Sequence, residues 1–203
     1  MSPADRIEAA AERSPLVRAA LEQARSDHAG QIRNGSGGMP YIEHPMRVAA
    51  LLDEEGYGEE ALAAALLHDV VEDSETTLDE LREKFGGEVA GLVGAMTDDE
   101  EIEDYRQRKA EHRERLAAAP HEAMAIYGAD KLTNTKTLRA AYAEEGDKVR
   151  GEFKAPLELK LEIWEADLAL LREKAPEVPF LDRLEEELSR FRACLEAPAQ
   201  PRG

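Results

Sequence analysis

The sequence predicts an all-α protein, and three observations lead to that prediction. Alanine, leucine, glutamate and arginine dominate the 203 residues, while aromatic residues make up only 5% and β-branched runs are almost absent. Apolar residues recur at helical spacing along most of the chain. Capping residues mark several helix starts. We expect one domain over residues 1–196 and a disordered tail over residues 197–203.

The first part of the chain predicts three helices and a glycine-rich loop. Ser2-Pro3 and Ser14-Pro15 each place an N-cap before a proline at the first helical position, which predicts a short first helix and a second one to about Ile32. Residues 31–45 contain three glycines and read as a loop. Residues 46–55 are amphipathic and form the third helix.

The middle of the chain contains its most apolar segment. Residues 61–74 place apolar groups on every side until the C-terminal end, so we expect a buried central helix there. Thr77 and Glu80 form a capping box for a short helix that ends at Phe85-Gly86. Residues 89–97 continue as another apolar helix.

The second half predicts one exposed and three buried helices. Residues 98–118 are the most charged stretch, for which a solvated helix is the default, although a few of its basic residues could reach a phosphate. Residues 121–143 predict a further helix. Residues 157–171 and 180–195 carry regular leucine-rich stripes, which are typical of core faces or of an interface in a homo-oligomer.

Composition excludes several classes of function. A formal net charge of −18 argues against a nucleic-acid binder and against a binder of anionic membranes, because both rely on basic surfaces. No stretch reads as a signal peptide or reaches the ~18 apolar residues of a membrane span. The single cysteine, Cys194, excludes an intrachain disulfide and fits a reducing compartment. We therefore expect a cytoplasmic protein.

The end of the central helix concentrates side chains that bind metals. At ~100° per residue, the four side chains there point into one sector of the helix. They are His68, Asp69, Glu72 and Asp73. Three carboxylates at the C-terminal end of a buried helix repel one another and oppose the helix dipole. A solvated helix end is the alternative, but a bound cation would explain this crowding better.

A second carboxylate stands inside the helix over residues 121–143. Asp130, Asn134 and Thr137 have i, i+4, i+7 spacing and share one face. Asp130 is flanked by apolar residues, so it is expected to be half-buried and to need a partner. Pairing with Lys131 or Lys136 is the alternative to a metal, but both lysines point elsewhere on a helical wheel.

Two histidines and an arginine lie near the glycine-rich loop. His44, directly before a helical proline, is rigidly placed, and neutral histidine is a common metal ligand. Arg33 could be brought to a ligand by the loop, although a plain helix connector is the alternative. His28 lies on an apolar helix face and reads as a core or supporting histidine.

These groups together suggest a metal-dependent hydrolase. The candidate metal ligands are His44, His68, Asp69 and Asp130. Mixed imidazole and carboxylate ligands suit Mn²⁺, Fe²⁺ or Zn²⁺ with open positions. Glu72 and Asp73 are then available to orient and deprotonate a water activated by the metal. Without a P-loop or a serine nucleophile, hydrolysis of a phosphoester or pyrophosphate fits better than phosphoryl transfer.

The same residues resemble a known family. His44, His68-Asp69 and Asp130 resemble the H…HD…D signature of the HD superfamily of metal-dependent phosphohydrolases, which adopt a helical bundle. The blocks AGQIR (29–33), PYIEHP (40–45), AALLHDVVED (64–73), FG (85–86) and ADKLTN (129–134) are similar to the hydrolase domain of RelA/SpoT proteins and their small stand-alone relatives. The resemblance covers more than half of the chain.

The resemblance implies a Mn²⁺-dependent hydrolase that removes pyrophosphate from the 3′ position of the alarmone ppGpp and leaves GDP. The four candidate ligands would bind manganese. Glu72 and Asp73 would activate the water. Arg33 would stack on the base, and Asn134 and Thr137 would touch the nucleoside.

The chain departs from the family pattern in two places. Arg33-Asn34 stands where Arg-Lys is common, and the loop over residues 35–39 is about two residues longer. An adenine alarmone or the 2′-phosphate of NADPH is therefore an alternative substrate. A silent nucleotide sensor or toxin-neutralising partner is another alternative, against which Glu72 and Asp73 count. The residues after about Ala143 are too few for a synthetase domain, so we expect degradation of the alarmone without synthesis.

Overall fold

The computed structural model describes residues 1–99 and 101–196, and within these ranges the chain is helical with no strand. The all-α prediction is therefore confirmed, while residues 197–203 lie outside the described residues. The helices are α1 (Pro3–Arg13), α2 (Pro15–Asp27), α3 (Glu43–Glu54), α4 (Glu59–Leu67), α5 (Val70–Asp73), α6 (Leu78–Met96), α7 (Tyr105–Leu116), α8 (His121–Glu145), the 3₁₀ helix η1 (Gly146–Glu152), α9 (Leu157–Lys174) and α10 (Leu181–Glu196).

Three helix starts have the caps that the sequence predicts. The Ser2 and Asp5 side chains accept hydrogen bonds from each other's backbone N–H, and the same reciprocal box joins Thr77 and Glu80. The Ser14 hydroxyl accepts from a backbone N–H in the first turn of α2. Each cap satisfies backbone donors that a helix leaves unpaired.

Two helix ends involve glycine. Helix α2 ends at Asp27, short of the predicted Ile32, because the chain turns at Gly30 with φ +76°. Helix α6 is interrupted at Gly86, where φ is +89° and ψ is 166°, so its two halves correspond to the two predicted helices. Only glycine adopts such a φ without strain.

The predicted single helix over residues 61–74 is wrong, because the chain forms two helices. Regular helix stops at Leu67 and resumes at Val70, with Asp69 at φ −95° and ψ −9°. The Glu72 N–H bonds back to the Asp69 carbonyl at 3.2 Å in a tighter turn. The interruption lies at His68 and Asp69, whose side chains both contact the polar cluster described below.

Helix α4 forms the centre of the core. It packs against α2, α3, α6 and α8, and residues 63–67 are fully buried. Helix α8 packs against α3, α4 and α10. These contacts bring the start of α3, the end of α4 and the middle of α8 together. None of the described helices is long and apolar enough to span a bilayer.

Candidate active site

Three buried side chains from three helices point their donor atoms at one another. His44 Nε2 lies 3.0 Å from Asp130 Oδ1 and 3.3 Å from His68 Nε2, and His68 Nε2 lies 3.6 Å from Asp130 Oδ1. Ligands about 2.1 Å from one ion are separated by about 3.0 Å in octahedral and about 3.4 Å in tetrahedral geometry. The donor set and its spacing therefore fit a divalent transition metal.

Asp69 lies beside these three groups. Its Oδ1 is 3.2 Å from His68 Nε2 and its Oδ2 is 3.6 Å from His44 Nε2. The structure thus brings together all four side chains that the sequence singles out as metal ligands. Their role as ligands remains a prediction.

The imidazoles of His44 and His68 differ in their surroundings and in their pKa values. His68 Nδ1 lies 2.8 Å from the Ala65 carbonyl, which favours a proton on Nδ1 and directs Nε2 to the cluster. Burial opposes the charged form of His68, but Asp69 and Asp130 raise its pKa to about 9. Burial and the nearby Arg33 lower the pKa of His44 to about 4. In the metal-free chain, a proton in this cluster is therefore favoured on His68 rather than on His44.

Asp130 also pairs with Lys131, contrary to the expectation that this lysine points elsewhere. Lys131 Nζ lies 2.8 Å from Asp130 Oδ2 and sits over the Tyr127 ring, 4.1 Å from its centroid. The long side chain curls back over the preceding turn, which a helical wheel cannot show. The other oxygen, Oδ1, accepts a hydrogen bond from Asn134 Nδ2 at 2.7 Å. Asp130 thus faces the cluster with one oxygen and Lys131 with the other.

Glu72 and Asp73 take different partners. The exposed Asp73 accepts a hydrogen bond from the Tyr41 hydroxyl, with an O–O distance of 2.5 Å, and the same hydroxyl lies 2.8 Å from Asp69 Oδ2. The half-buried Glu72 accepts from the Asp98 N–H at 2.6 Å. Burial, followed by the charge of Asp69, raises the pKa of Glu72 to about 7. A carboxyl with that pKa can accept or donate a proton near neutral pH.

Arg33 bridges the two sides of the site. Its Nη1 donates to Asp69 Oδ2 at 3.2 Å and its Nη2 donates to Asn134 Oδ1 at 2.7 Å. The guanidinium also lies over the Tyr41 ring, 4.7 Å from the centroid. Tyr41 in turn stacks on the buried His28 with the ring centroids 4.4 Å apart, so His28 has the supporting role expected of it. The predicted stacking of Arg33 on a base remains untested.

A cavity of about 510 Å³ opens beside the cluster, within the size range of small-molecule sites. Its lining includes the predicted substrate residues Arg33, Asn134 and Thr137, together with Asp73. Sequence reasoning missed several other lining residues: Tyr41, Tyr105, Lys131, Phe153, Lys160 and Trp164. Tyr41 could have been found from the PYIEHP block, three residues before His44. Lys131 directly follows Asp130, whereas the other four lie far away in the sequence and carry no local signal.

The glycine-rich loop is docked onto the segment between α8 and α9. The Gly35 N–H donates to Glu152 Oε2 at 2.6 Å. Gly35 has φ +68°, and a Cβ atom there would lie 2.5 Å from Phe153 Cζ and 3.0 Å from Leu138 Cδ1. Only glycine fits this position, and the loop thereby joins two walls of the cavity.

The chain is similar to a known protein family and to several named proteins. The profile of a family described as "HD domain" matches residues 20–164. Guanosine-3′,5′-bis(diphosphate) 3′-pyrophosphohydrolase of Aquifex aeolicus is 38% identical over 154 residues, which are 73% of this chain and 22% of that protein. The Danio rerio enzyme of the same name, MESH1, is 38% identical over 123 residues, which are 60% of this chain and 68% of that protein. The chain therefore spans about a fifth of the bacterial relative and about two thirds of the fish relative.

Two solved structures have similar folds. One, described as a metazoan ortholog of SpoT that hydrolyses ppGpp and plays a role in starvation responses, has a TM-score of 0.69 at 28% identity, covering 90% of this chain and 97% of its own. The other, lmo0812 from Listeria monocytogenes EGD-e, has a TM-score of 0.65 at 33% identity, covering 72% of this chain and 96% of its own. Both similarities extend over most of the helical bundle.

Proposed function

The chain belongs to the HD-domain family, and from that premise we propose that it is a metal-dependent hydrolase that releases the 3′-pyrophosphate of guanosine 3′,5′-bis(diphosphate), ppGpp, and leaves GDP. One observation carries the proposal. Two imidazole nitrogens and an aspartate oxygen lie 3.0–3.6 Å apart beside a cavity of nucleotide size, in a chain whose relatives are named for this reaction. The acidic net charge gives no support for a nucleic-acid substrate.

We propose Mn²⁺ as the metal, with Fe²⁺ or Zn²⁺ as alternatives that the same donor types accept. His44, His68, Asp69 and Asp130 would hold it. Such an ion, when bound, polarises a phosphoryl oxygen and lowers the pKa of a nearby water. The bond between the 3′ oxygen and phosphorus breaks and the water oxygen bonds to phosphorus. The 3′ oxygen leaves as a hydroxyl after taking up the proton that the attacking water has given to Glu72.

Glu72 is the proposed general base. Its pKa of about 7 lets it take the proton of the attacking water near neutral pH. Asp73, held by the Tyr41 hydroxyl, would orient that water by accepting a hydrogen bond. Arg33 would lie against the base, and Asn134 and Thr137 would contact the ribose, because all three line the cavity. A nucleotide substrate and a single cysteine also fit a cytoplasmic location.

The test is a side-by-side assay of the purified chain with Mn²⁺ on ppGpp, its adenine counterpart and NADPH. We expect release of pyrophosphate and GDP from ppGpp. The E72Q variant should lose turnover and still bind manganese, whereas the E75Q variant, at an exposed position in the following turn, should resemble the parent chain. Turnover of only another nucleotide would reject the substrate, and nucleotide binding without any turnover would favour the sensor alternative.

A further inference from the structure

One basic side chain in the cavity has no acidic partner. Four basic residues line the cavity, and three of them are ion-paired: Arg33 with Asp69 at 3.2 Å, Lys131 with Asp130 at 2.8 Å and Lys109 with Asp98 at 2.6 Å. The fourth, Lys160, makes no salt bridge to any carboxylate of the described residues. Among the described cavity-lining residues, Lys160 is therefore the basic residue that folding leaves without a counter-charge.

Aromatic rings hold Lys160 in place. It lies on α9 one turn before Trp164, with Nζ 4.5 Å from the centroid of Phe153 and 5.4 Å from that of Tyr105. Lys109 Nζ lies 5.9 Å from the centroid of the same Tyr105 ring, so both ammonium groups lie near one ring. The ring faces attract cations but do not neutralise them.

The electrostatic surroundings of Lys160 are those of an anion site. Burial, and then the like charges of Lys109, Lys131 and Arg33, lower the pKa of Lys160 to about 8, and no acidic group offsets these effects. A partly desolvated ammonium among other cations is unfavourable in the free protein. An anionic ligand between Lys160 and Lys109 would reverse that effect.

We propose that Lys160 and Lys109 form an anion subsite that binds the 5′-diphosphate of the substrate, the phosphate group that is not hydrolysed. The identity of the substrate rests on the proposed function, whereas the subsite rests on the unpaired lysine. A substrate with diphosphates at both ends needs two cationic regions. The proposed metal would serve the 3′ end, and the lysine pair at Tyr105 would serve the 5′ end. Lys160 is then a residue that selects nucleotides with a 5′ anionic group.

The kinetic test compares ppGpp with guanosine 3′-diphosphate, which lacks the 5′ phosphates. In K160M, KM for ppGpp should rise at least about tenfold with kcat changed less than about threefold, since one charge-assisted contact is lost. Guanosine 3′-diphosphate should be turned over as well by K160M as by the parent chain. The K160R variant should restore the KM, and K148M, at an exposed lysine, should have no effect. An unchanged KM for ppGpp, or an equal rise for both substrates, would overturn the proposal.

A binding test separates the subsite from the proposed function. Trp164 is the only tryptophan and lines the cavity, so its fluorescence reports binding. GDP should bind the parent chain at least about tenfold more tightly than guanosine, and K160M or K160Q should remove that difference. Equal affinities for GDP and guanosine in the parent chain would contradict the proposed anion subsite. An absence of ppGpp turnover together with preferential GDP binding would reject only the proposed function. The melting temperatures of both variants should not fall, because Lys160 has no acidic partner to leave behind.

Discussion

Replacing Lys131 by methionine tests whether the Asp130 carboxylate depends on its lysine partner. Asp130 is 5% exposed and Lys131 is 7% exposed, and their charged atoms lie 2.8 Å apart. Methionine keeps an unbranched apolar side chain against the Tyr127 ring, so little packing is lost. The main consequence is that Asp130 Oδ2 remains buried with no cationic partner.

The expected loss of stability is large. Removing one member of a buried ion pair costs about 3–5 kcal/mol, because the other charge stays desolvated. In a domain of this size each kcal/mol shifts the melting temperature by about 2–4 °C, so the metal-free K131M protein should melt about 6–20 °C lower than the parent chain.

The assay is urea denaturation in the presence of a chelator. The matched control is K136M on the same helix, at an exposed position. Lys136 makes no ion pair with any carboxylate in the described part of the chain, so K136M should change the free energy of unfolding by less than about 0.5 kcal/mol. Lys131 is the strongest of the charges that hold the pKa of Asp130 well below its usual value against the effect of burial. The stabilisation of Asp130 is therefore present above the pKa of an unfolded aspartate and is lost as pH falls. The difference between K131M and the parent chain should shrink in acid.

A double variant tests whether the loss of stability in K131M comes from the unpaired Asp130 carboxylate. In D130N/K131M neither charge remains, so this variant should be more stable than K131M alone. A loss of less than about 1 kcal/mol in K131M, or a double variant no more stable than K131M, would show that Lys131 does not stabilise the buried Asp130 carboxylate.

Three further predictions follow from the site. Because the pKa of Glu72 is raised from 4.5 to about 7, turnover should decline as pH falls below about 7, and the metal-free chain should lose stability as pH rises from about 4.5 to about 7. E72Q should flatten that stability slope and lower kcat by about 10²–10⁴-fold. H68A should retain less than the parent chain's manganese after dialysis, measured by metal analysis, and full occupancy would remove His68 from the ligand set. G35A should lose about 1–3 kcal/mol in free energy of unfolding, measured with urea, because a Cβ at Gly35 would abut Phe153. G38A should lose less, since Gly38 also has positive φ but no atom lies near its Cβ position. Equal losses would mean that the contact with Phe153 contributes nothing.

The fold and the convergence of His44, His68, Asp69 and Asp130 could be predicted from the sequence, because helix signals are local and such a grouping of histidines and carboxylates is uncommon. Caps and apolar stripes indicate helices, and histidines beside carboxylates at a buried helix end indicate a cation. The break at His68 and Asp69 could not be predicted in this way. His68 keeps helical backbone angles and Asp69 departs from them only modestly, and the interruption accompanies contacts with side chains distant in sequence.

The other side chains that line the cavity could not be predicted from local sequence patterns for a similar reason. Lys160 belongs to a helix whose leucines indicate only a core face, and its contacts with Tyr105 and Phe153 arise from tertiary packing. Lys131 was placed wrongly because a wheel projects Cβ directions, while a long flexible side chain can reach a neighbour on the next position.

The contact between Gly35 and Phe153 also constrains how this chain can evolve. The loop approaches the ring so closely that no side chain fits at residue 35 while an aromatic ring occupies residue 153. Relatives that carry a larger residue at the first position should therefore carry a smaller one at the second. The two positions should covary in an alignment even though more than a hundred residues separate them.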